Sequence, residues 1–321
     1  MSLRRVFALL CVFFSVAAMG QEYPTKPIRL VTPWPPGGGT DIVARMIAAK
    51  LTDAWGQQVV VENKSGATGT IGTDMVAKSA PDGYTLIIGT NATHVIAVSL
   101  YAKLPYDQEK DLTPITRVSA VPHVIAVVPS LEARNVQELI ALAKAHPGKI
   151  SFGSAGNGST PHLAGELFKT LTGVNLLHVP YKGTGQSLQD TIGGVVQVSF
   201  DTMPSVLPHI KSGRLRALAI AGPKRVSALP DVPAVAEAGV PGAEGMTWYG
   251  LFGPAGLPKP IVQKIFAEVV RIVKLPDVKS RLDSLGTEET TSASPQEFAA
   301  MVHSDIAKYA KVIKSAGLRM D

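Results

Sequence analysis

The chain has 321 residues and a net charge of +6, long enough for two domains at the usual size of roughly 150 residues each. Charged residues are 17%, below the roughly 25% of an average domain, and no dense Lys/Arg run with interleaved aromatics occurs, which argues against a nucleic-acid partner. The single cysteine, Cys11, lies in the N-terminal segment described next, so the rest of the chain has no disulfide or thiol chemistry to rely on and must be held by its core.

Residues 1–20 read as an export signal. Arg4 and Arg5 form a basic start, residues 6–18 are apolar and uncharged, and Ala18-Met19-Gly20 offers small residues for cleavage before Gln21. The apolar run is shorter than the roughly 18 residues of a membrane span, and no later stretch is long and apolar enough to be one. Leu10 stands where a lipoprotein signal wants a small residue before its cysteine. The expectation is a soluble, periplasmic protein.

The first strand covers Ile28, Leu30 and Val31 and stops at the prolines that follow. Residues 32–41, TPWPPGGGTD, then lead into a helix whose buried stripe is Ile42, Val43, Met46, Ile47 and Leu51, with Thr40 and Asp41 as caps. A glycine turn ending on a helix N-terminus suits an anion, because free N–H groups and the positive end of a dipole converge there. It is equally a well-capped strand-to-helix connection. Residues 59–62 form a second strand, followed by the turn NKSGATGT and a helix over 71–78; residues 85–89 form a third strand ending at Thr90 and Asn91. Three strands that each end in small polar residues before a helical segment are the pattern of a parallel α/β sheet, whose ligands gather at the carboxyl ends of strands.

The apolar run at 115–128 is too long for one typical strand and reads as two strands or as a crossing between domains. Beyond it the alternation resumes. A helix covers 136–145, a strand 150–152, and the loop GSAGNGST precedes a helix opening at Pro161 with Thr160 as cap. Strands follow at 176–179, 195–200 and 215–220, separated by helices ending near 192 and 211. Residues 223–245 are rich in Pro, Ala and Gly; a strand at 247–252 and helices over 260–274, 276–285 and 295–316 close the chain. This order divides the chain into a signal (1–20), a discontinuous first lobe (21–122 plus 246–321) and a second lobe (123–245), with strand-like hinges near 122 and 245.

The usual catalytic signatures are missing from the sequence. From Gly37 and Gly39 the last glycine of a dinucleotide fingerprint would fall at Ile42, and no glycine loop continues into the Gly-Lys-Ser/Thr of a phosphate loop. Ser154 and Ser159 lack the glycine two positions earlier that a nucleophile elbow needs. His162 and Glu166 are four apart on one helix and could offer two metal ligands, or be a helix-start histidine and a solvated glutamate. What remains is a set of neutral loops in both lobes whose N–H groups and hydroxyls could close around one small anion.

The chain resembles the Bug family, the extracytoplasmic solute receptors of tripartite tricarboxylate transporters, also called TctC-like. The matching pieces are PWPPGGGTDIVAR, VVVENKSGATGTIGT, PDGYTLIIGT, FGSAGNGSTPHLAGELFK, HVPYKGTGQSLQDTIGGVVQVSFD and WYGLFGPAGLPKPIV. The resemblance implies an α/β, two-lobed periplasmic binding protein fold of the second type, with the ligand cleft between lobes joined by two hinge strands. It implies a small organic carboxylate as ligand, membrane permease subunits as partners, a monomeric receptor, and no cofactor, metal or catalysis. By matching motif, the first-lobe contacts would be Trp34, Gly38, Gly39, Thr40, Ala67 and Thr68. Those of the second lobe would be Ser154, Ala155, Gly156, Thr160, His162 and Asp201. Asp201 would take a hydroxyl or ammonium group of the ligand, or tie down the following turn. Two other readings stay open at this stage: an exported hydrolase or lyase using Asp201 or His162 as acid/base, and a sensor that presents its closed form to a signalling partner.

Overall fold

The computed structural model describes residues 23–315; the export signal read in residues 1–20 lies outside the described residues. Strands β1 (Ile28–Thr32), β2 (Val59–Asn63) and β3 (Thr85–Thr90) pair parallel in the order β2-β1-β3. Their side chains alternate between two helix layers. Ile28, Leu30, Leu86 and Ile88 pack with Val43, Ile47 and Leu51 of helix α1 (Gly39–Trp55). Val31 and Ile87 point the other way, onto Val76 of α2 (Thr70–Ala77). Burial on both faces is why these strands read as continuous β-branched runs. Gly56, left-handed at φ 64, ends α1 by donating its N–H to Thr52 O.

The run expected as two strands or a crossing is one strand, β4 (Leu112–Val127), which serves two sheets. Its residues 112–122 pair antiparallel with β9 (Met246–Pro254), which in turn pairs with β3. Its residues 123–127 pair antiparallel with β7 (Val198–Thr202) and with β8 (Arg216–Ala221). The second sheet continues through β5 (Ser151–Ser154) and β6 (Leu177–Pro180), parallel to β7. Here too one strand feeds two layers. Ile125 and Val127 pack on α4 (Val136–Ala145) and α5 (Thr160–Thr172), whereas Val124 and Ala126 face α6 (Thr184–Ile192) and α7 (Met203–Lys211). Each such buried Leu, Ile or Phe contributes roughly 1.5–3 kcal/mol, so each sheet carries its own core.

The chain returns to the first sheet beside its exit. His123 N donates to Gly245 O at 2.9 Å, and Pro122 pairs with Met246. Helices α8 (Lys259–Val273) and α9 (Pro276–Ser284) then join α1 over the first sheet, supplying Val262, Ile265 and Val269 from α8 and Val278 and Leu282 from α9. α10 (Pro295–Ser315) covers the opposite face with Phe298 and Val302. A helical stretch that the sequence did not suggest, a π-turn at Ala92–Ile96 running into α3 (Ala97–Leu100), packs under α10 through Ile313. The strand-to-helix turns of both sheets point into the space between them.

Candidate functional site

One cavity occupies that space, with ≈ 420 Å³ of atom-free volume, part of it open to solvent. It sits where a ligand of an open α/β sheet is expected, at the carboxyl ends of strands. The first lobe lines it with the turn after β1 (Trp34, Pro35, Gly38, Gly39, Thr40), the end of β3 (Thr90), and Thr247 and Tyr249 of β9. The second lobe contributes Ala155 after β5, Ser159 to Pro161 at the start of α5, Thr184, and Asp201 and Thr202 at the end of β7.

Four helices begin at this wall: α1 at Gly39, α5 at Thr160, α6 at Thr184 and α7 at Met203. Their first-turn N–H groups have no partner within the helix, and each end carries about half a positive charge. The N-cap residues of α1, α6 and α7, which are Gly38, Gly183 and Thr202, make no side-chain cap hydrogen bond. Only α5 is capped by a side chain, Ser159 accepting from His162 N at 3.3 Å. Thus Ser159, rather than Thr160, is the cap of α5. At α1 the expected caps also differ, because Gly38 takes the N-cap position with a bare backbone. Asp41 instead braces the glycine turn from behind, accepting from Gly37 N (3.1 Å), Arg45 (3.0 Å) and Asn63 (3.0 Å). Burial works against its charge, but these donors hold its carboxyl below the usual range.

Among the described residues that line the cavity there is no lysine, arginine or histidine, and Asp201 is the one carboxyl group. Three polar atoms in the wall make no hydrogen bond of good geometry among the described residues, Asp201 Oδ2, Tyr249 Oη and Thr90 Oγ1, although the Thr184 hydroxyl lies close to Asp201 and the Thr202 hydroxyl close to Tyr249. The three residues are 1%, 1% and 3% exposed. Buried polar atoms in folded proteins almost always find partners; a polar ligand in the cavity would supply these three, while eleven other buried side-chain atoms among the described residues, outside this wall, also lack one. Asp201 Oδ1 accepts the Thr202 N–H at 2.7 Å. Burial pushes the carboxyl of Asp201 up to about 6, against the pull of the Thr202 and Thr184 donors. The wall at α1 is tight: a Cβ on Gly39 would collide with Tyr249 Oη and lie 2.9 Å from Thr202 Oγ1 of the other lobe. Glycine is needed there so that the helix end, the tyrosine and the second lobe can meet.

Of the residues inferred from sequence, Trp34, Gly38, Gly39, Thr40, Ala155, Thr160 and Asp201 stand in the cavity wall. Trp34 also packs beside Ala92 and Ile96, with Leu163 of α5 against the same cluster. The hydroxyl of Thr160 meets that of Thr247 at 2.7 Å, and Thr247 meets His123 Nε2 at 2.8 Å, a chain of contacts from the cavity to the crossing strand. Burial drives His123 down to about 3, so it is neutral.

Ala67, Thr68, Ser154, Gly156 and His162 are not among the residues that line the cavity, and Ala67 is exposed. Thr68 donates its hydroxyl to Asn157 O across the lobes at 2.8 Å and accepts from Tyr101 at 3.1 Å. Ala67 and Thr68 both have positive φ, 45 and 53, a conformation that costs a non-glycine residue energy and is kept where surrounding contacts fix it. Ser154 Oγ pairs with His178 Nε2 at 2.7 Å and accepts the Gly156 N–H at 3.1 Å; Ser154 is fully buried. His162 Nδ1 accepts the Gly158 N–H at 3.1 Å, and its ring stacks on His178 at 4.1 Å. Burial lowers its proton affinity. Glu166 pairs with Lys169, and among the described residues no three His, Cys, Asp or Glu side chains form a metal-type cluster.

Thr90, Thr184, Thr202, Thr247 and Tyr249 belong to the wall although sequence reasoning did not select them. For Thr90, Thr184 and Thr202 a signal existed, since each is a threonine at the end of a strand or in a glycine turn. Thr247 and Tyr249 come from the returning strand, and only its register with β4 and β3 shows which way they face.

The model of the tripartite tricarboxylate transporter family receptor matches residues 43–318. Protein BugT of Bordetella pertussis is 36% identical over the whole of both chains. An R. palustris protein solved with adipate is 38% identical, superposes with a TM-score of 0.90, and aligns over 93% of this chain and 99% of its own. MatC from Rhodopseudomonas palustris, solved with bound malate, is 35% identical, with a TM-score of 0.85, over 91% of this chain and 100% of its own. With the strand order and the interlobe cavity these likenesses identify the two-lobed α/β fold of periplasmic binding proteins. The chain belongs to the family of tripartite tricarboxylate transporter receptors.

Proposed function

We propose that the protein is a periplasmic receptor that closes its two lobes over a small carboxylate and presents it to the membrane permease subunits of a tripartite tricarboxylate transporter. The observation that carries this reading is the cavity wall: four helix N-termini, three of them uncapped, with hydroxyls and no cationic side chain. Such a wall suits an anion small enough to be held by N–H and O–H donors, with bridging water where a donor falls short. Relatives solved with adipate and malate support the same class of ligand. In this reading Gly38, Gly39, Thr40, Thr90 and Tyr249 hold the ligand from the first lobe. Ala155, Ser159, Thr160 and Asp201 hold it from the second, and Trp34 covers the entrance.

Residues 21–122 with 246–321, and 123–245, act as the two moving bodies, hinged where β4 crosses and β9 returns. Thr68 and Asn157 meet only when they close. The basic and apolar start of the chain supports export, and the receptor works as a monomer without cofactor or turnover. A hydrolytic or eliminating enzyme would need an acid or base against the scissile bond. Asp201 is the one acid or base in the wall, whereas Ser154, His178 and His162 are not among its lining residues and bond to one another or to backbone; a single carboxyl with no nucleophile positioned beside it favours the binding reading.

The test is a thermal-shift screen of refolded, ligand-free protein against mono-, di- and tricarboxylates, amino acids and aromatic acids. A cognate acid at 100 times its dissociation constant stabilises by about 2.7 kcal/mol. Recovery of the same acid unchanged from the cavity by mass spectrometry is also expected. A screen in which no carboxylate raises the melting temperature, or recovery of a converted product, would overturn the reading.

A further inference from the structure

Resting on the carboxylate reading, we infer that Asp201 holds a proton whenever the cavity holds a carboxylate, so that capture of the anion takes up one proton from solvent. The inference starts from position. Asp201 closes β7 and is 1% exposed; its Oδ1 accepts from Thr202, the Thr184 hydroxyl lies close to the carboxyl, and Oδ2, which makes no hydrogen bond of good geometry among the described residues, belongs to a residue of the wall. The next residue, Thr202, brings its hydroxyl within 2.9 Å of where a Cβ on Gly39 would stand. Gly39 and Thr40 at the start of α1 and Asp201 at the end of β7 line the same cavity, so a carboxylate held at the helix start shares that cavity with Asp201.

An ionised Asp201 and a ligand carboxylate would be two full negative charges in that space. Opposing them are only the partial charges of helix ends. Two carboxylates sharing a site do not both stay ionised near neutrality, and one of the pair binds a proton far above its ordinary range. An ionised carboxylate can only accept hydrogen bonds, whereas a protonated one donates. With the proton on Oδ2, the orphan atom becomes a donor to the ligand oxygen. The step balances simply: a solvent proton adds to Asp201, no bond of the ligand changes, and the charge of the cavity stays at minus one for a monocarboxylate and goes from minus one to minus two for a dicarboxylate such as adipate or malate.

The surrounding elements supply no competing charge. On β9 the Tyr249 hydroxyl is kept neutral, because burial raises its proton affinity beyond the usual range. On β4, His123 is neutral, and on α5 burial lowers the proton affinity of His162. On α6, Asp190 accepts from Tyr181; on α1, Asp41 pairs with Arg45. On α7, His209 is also pushed toward neutrality, first by burial and then by Arg214. Without ligand, burial has already raised Asp201 to about 6, so most of the protein is ionised at pH 7.5 and must gain the proton on binding.

Calorimetric titration of the full protein with adipate and with malate, in buffers of different ionisation enthalpy, reads the proton directly. Both ligands are ionised above pH 6.5. Close to one proton taken up at pH 7.5 is expected, with binding roughly 25-fold weaker at pH 8.0 than at pH 6.5, the change one linked proton produces on a group whose ligand-free value is about 6. Asp201→Asn, which keeps the shape and a donor, should bind with no proton uptake and no such pH trend. Thermal melting of the unliganded variant checks that it folds. Binding without proton uptake and with pH-independent affinity would overturn the inference and leave the carboxylate reading standing. So would a folded Asp201→Asn variant that no longer binds either acid. If neither acid nor any other carboxylate of the screen binds, the receptor reading fails first and this inference with it.

Discussion

Replacing Gly183 with alanine puts a methyl group between the lobes while leaving each lobe's own packing alone. Gly183 precedes α6 with φ 163, extended backbone that any residue adopts, so alanine brings no conformational strain. Its Cβ would stand 2.6 Å from Cγ and 2.9 Å from Cδ of Pro35, a residue of the opposite lobe. Ordinary contact begins near 3.4 Å, and a proline ring on a Pro-Pro turn cannot swing aside as a long side chain would. Overpacking of this kind costs about 1–3 kcal/mol, paid only in the closed form. At 1.4 kcal/mol per factor of ten this weakens binding roughly five- to a hundredfold. The matched control is Gly185→Ala, whose Cβ would meet only Pro36 O at 3.7 Å and which should bind nearly as the parent does. Titration calorimetry with adipate or malate gives the affinities, and thermal melts without ligand give the stabilities. An alanine at 183 that binds as tightly as glycine would refute the argument. So would one that lowers the ligand-free melting temperature as much as it lowers affinity, since the contact would then belong to folding rather than to closure.

Three further outcomes are expected. The carboxyl of Asp201 has a folded value of about 6, above the usual 3.8. Its stabilising contribution is thus full below about pH 4 and lost as pH rises through about 6, a total of about 3 kcal/mol. Ligand-free Asp201→Asn should therefore unfold beside the parent near pH 4 and require more denaturant at pH 8; a gap that does not change with pH would contradict this. Ser154→Ala leaves His178 Nε2 and the Gly156 N–H without their shared hydroxyl. It should lower stability by about 1–3 kcal/mol with little change in affinity, and loss of affinity at unchanged stability would instead put Ser154 in the site. Thr68→Val keeps the shape but removes the donor to Asn157 O and the acceptor of the Tyr101 hydroxyl. About fivefold weaker binding is expected from the lost interlobe bond, the worth of about 1 kcal/mol, with faster ligand release in stopped-flow traces and a ligand-free stability lowered by no more than about 1 kcal/mol.

Local patterns in the chain carried much of the architecture. The stripe at Val43, Ile47 and Leu51 reads as a helix face and is buried as one. Where expectation and structure part, tertiary context decides. Thr40 and Asp41 look like caps, but α1 opens one residue earlier on bare glycine, which frees its N–H groups for the cavity and Asp41 for the brace with Arg45. The run at 115–128, interrupted in sequence by Pro122-His123, is a single strand that crosses from one sheet to the other, and Pro122 can sit in it where β9 gives way to β7 and β8. The stretch at 92–100 hides its helix, since Ala92, Val95, Ile96, Ala97 and Leu100 are buried alongside Thr93 and His94 and leave no polar face to set a period. Glycine turns told where the cavity would be. They could not tell that Tyr249 and Thr247 reach into it from a strand more than 200 residues from Trp34 in the chain, because that depends on register. Nor could they separate Asp201, which faces the cavity, from His162, which turns to the Gly158 backbone.

The structure of the protein crystallised with adipate or malate tests the central claim most directly. The account places a ligand carboxylate in the interlobe cavity, its oxygens within hydrogen-bond reach of the Gly39 and Thr40 amides or of water held by them. Asp201 Oδ2, Tyr249 Oη and Thr90 Oγ1 are each partnered by ligand or by such water, and no lysine or arginine side chain touches it. A carboxylate held elsewhere, or one gripped by a cationic side chain while those three atoms stay unpartnered, would contradict it.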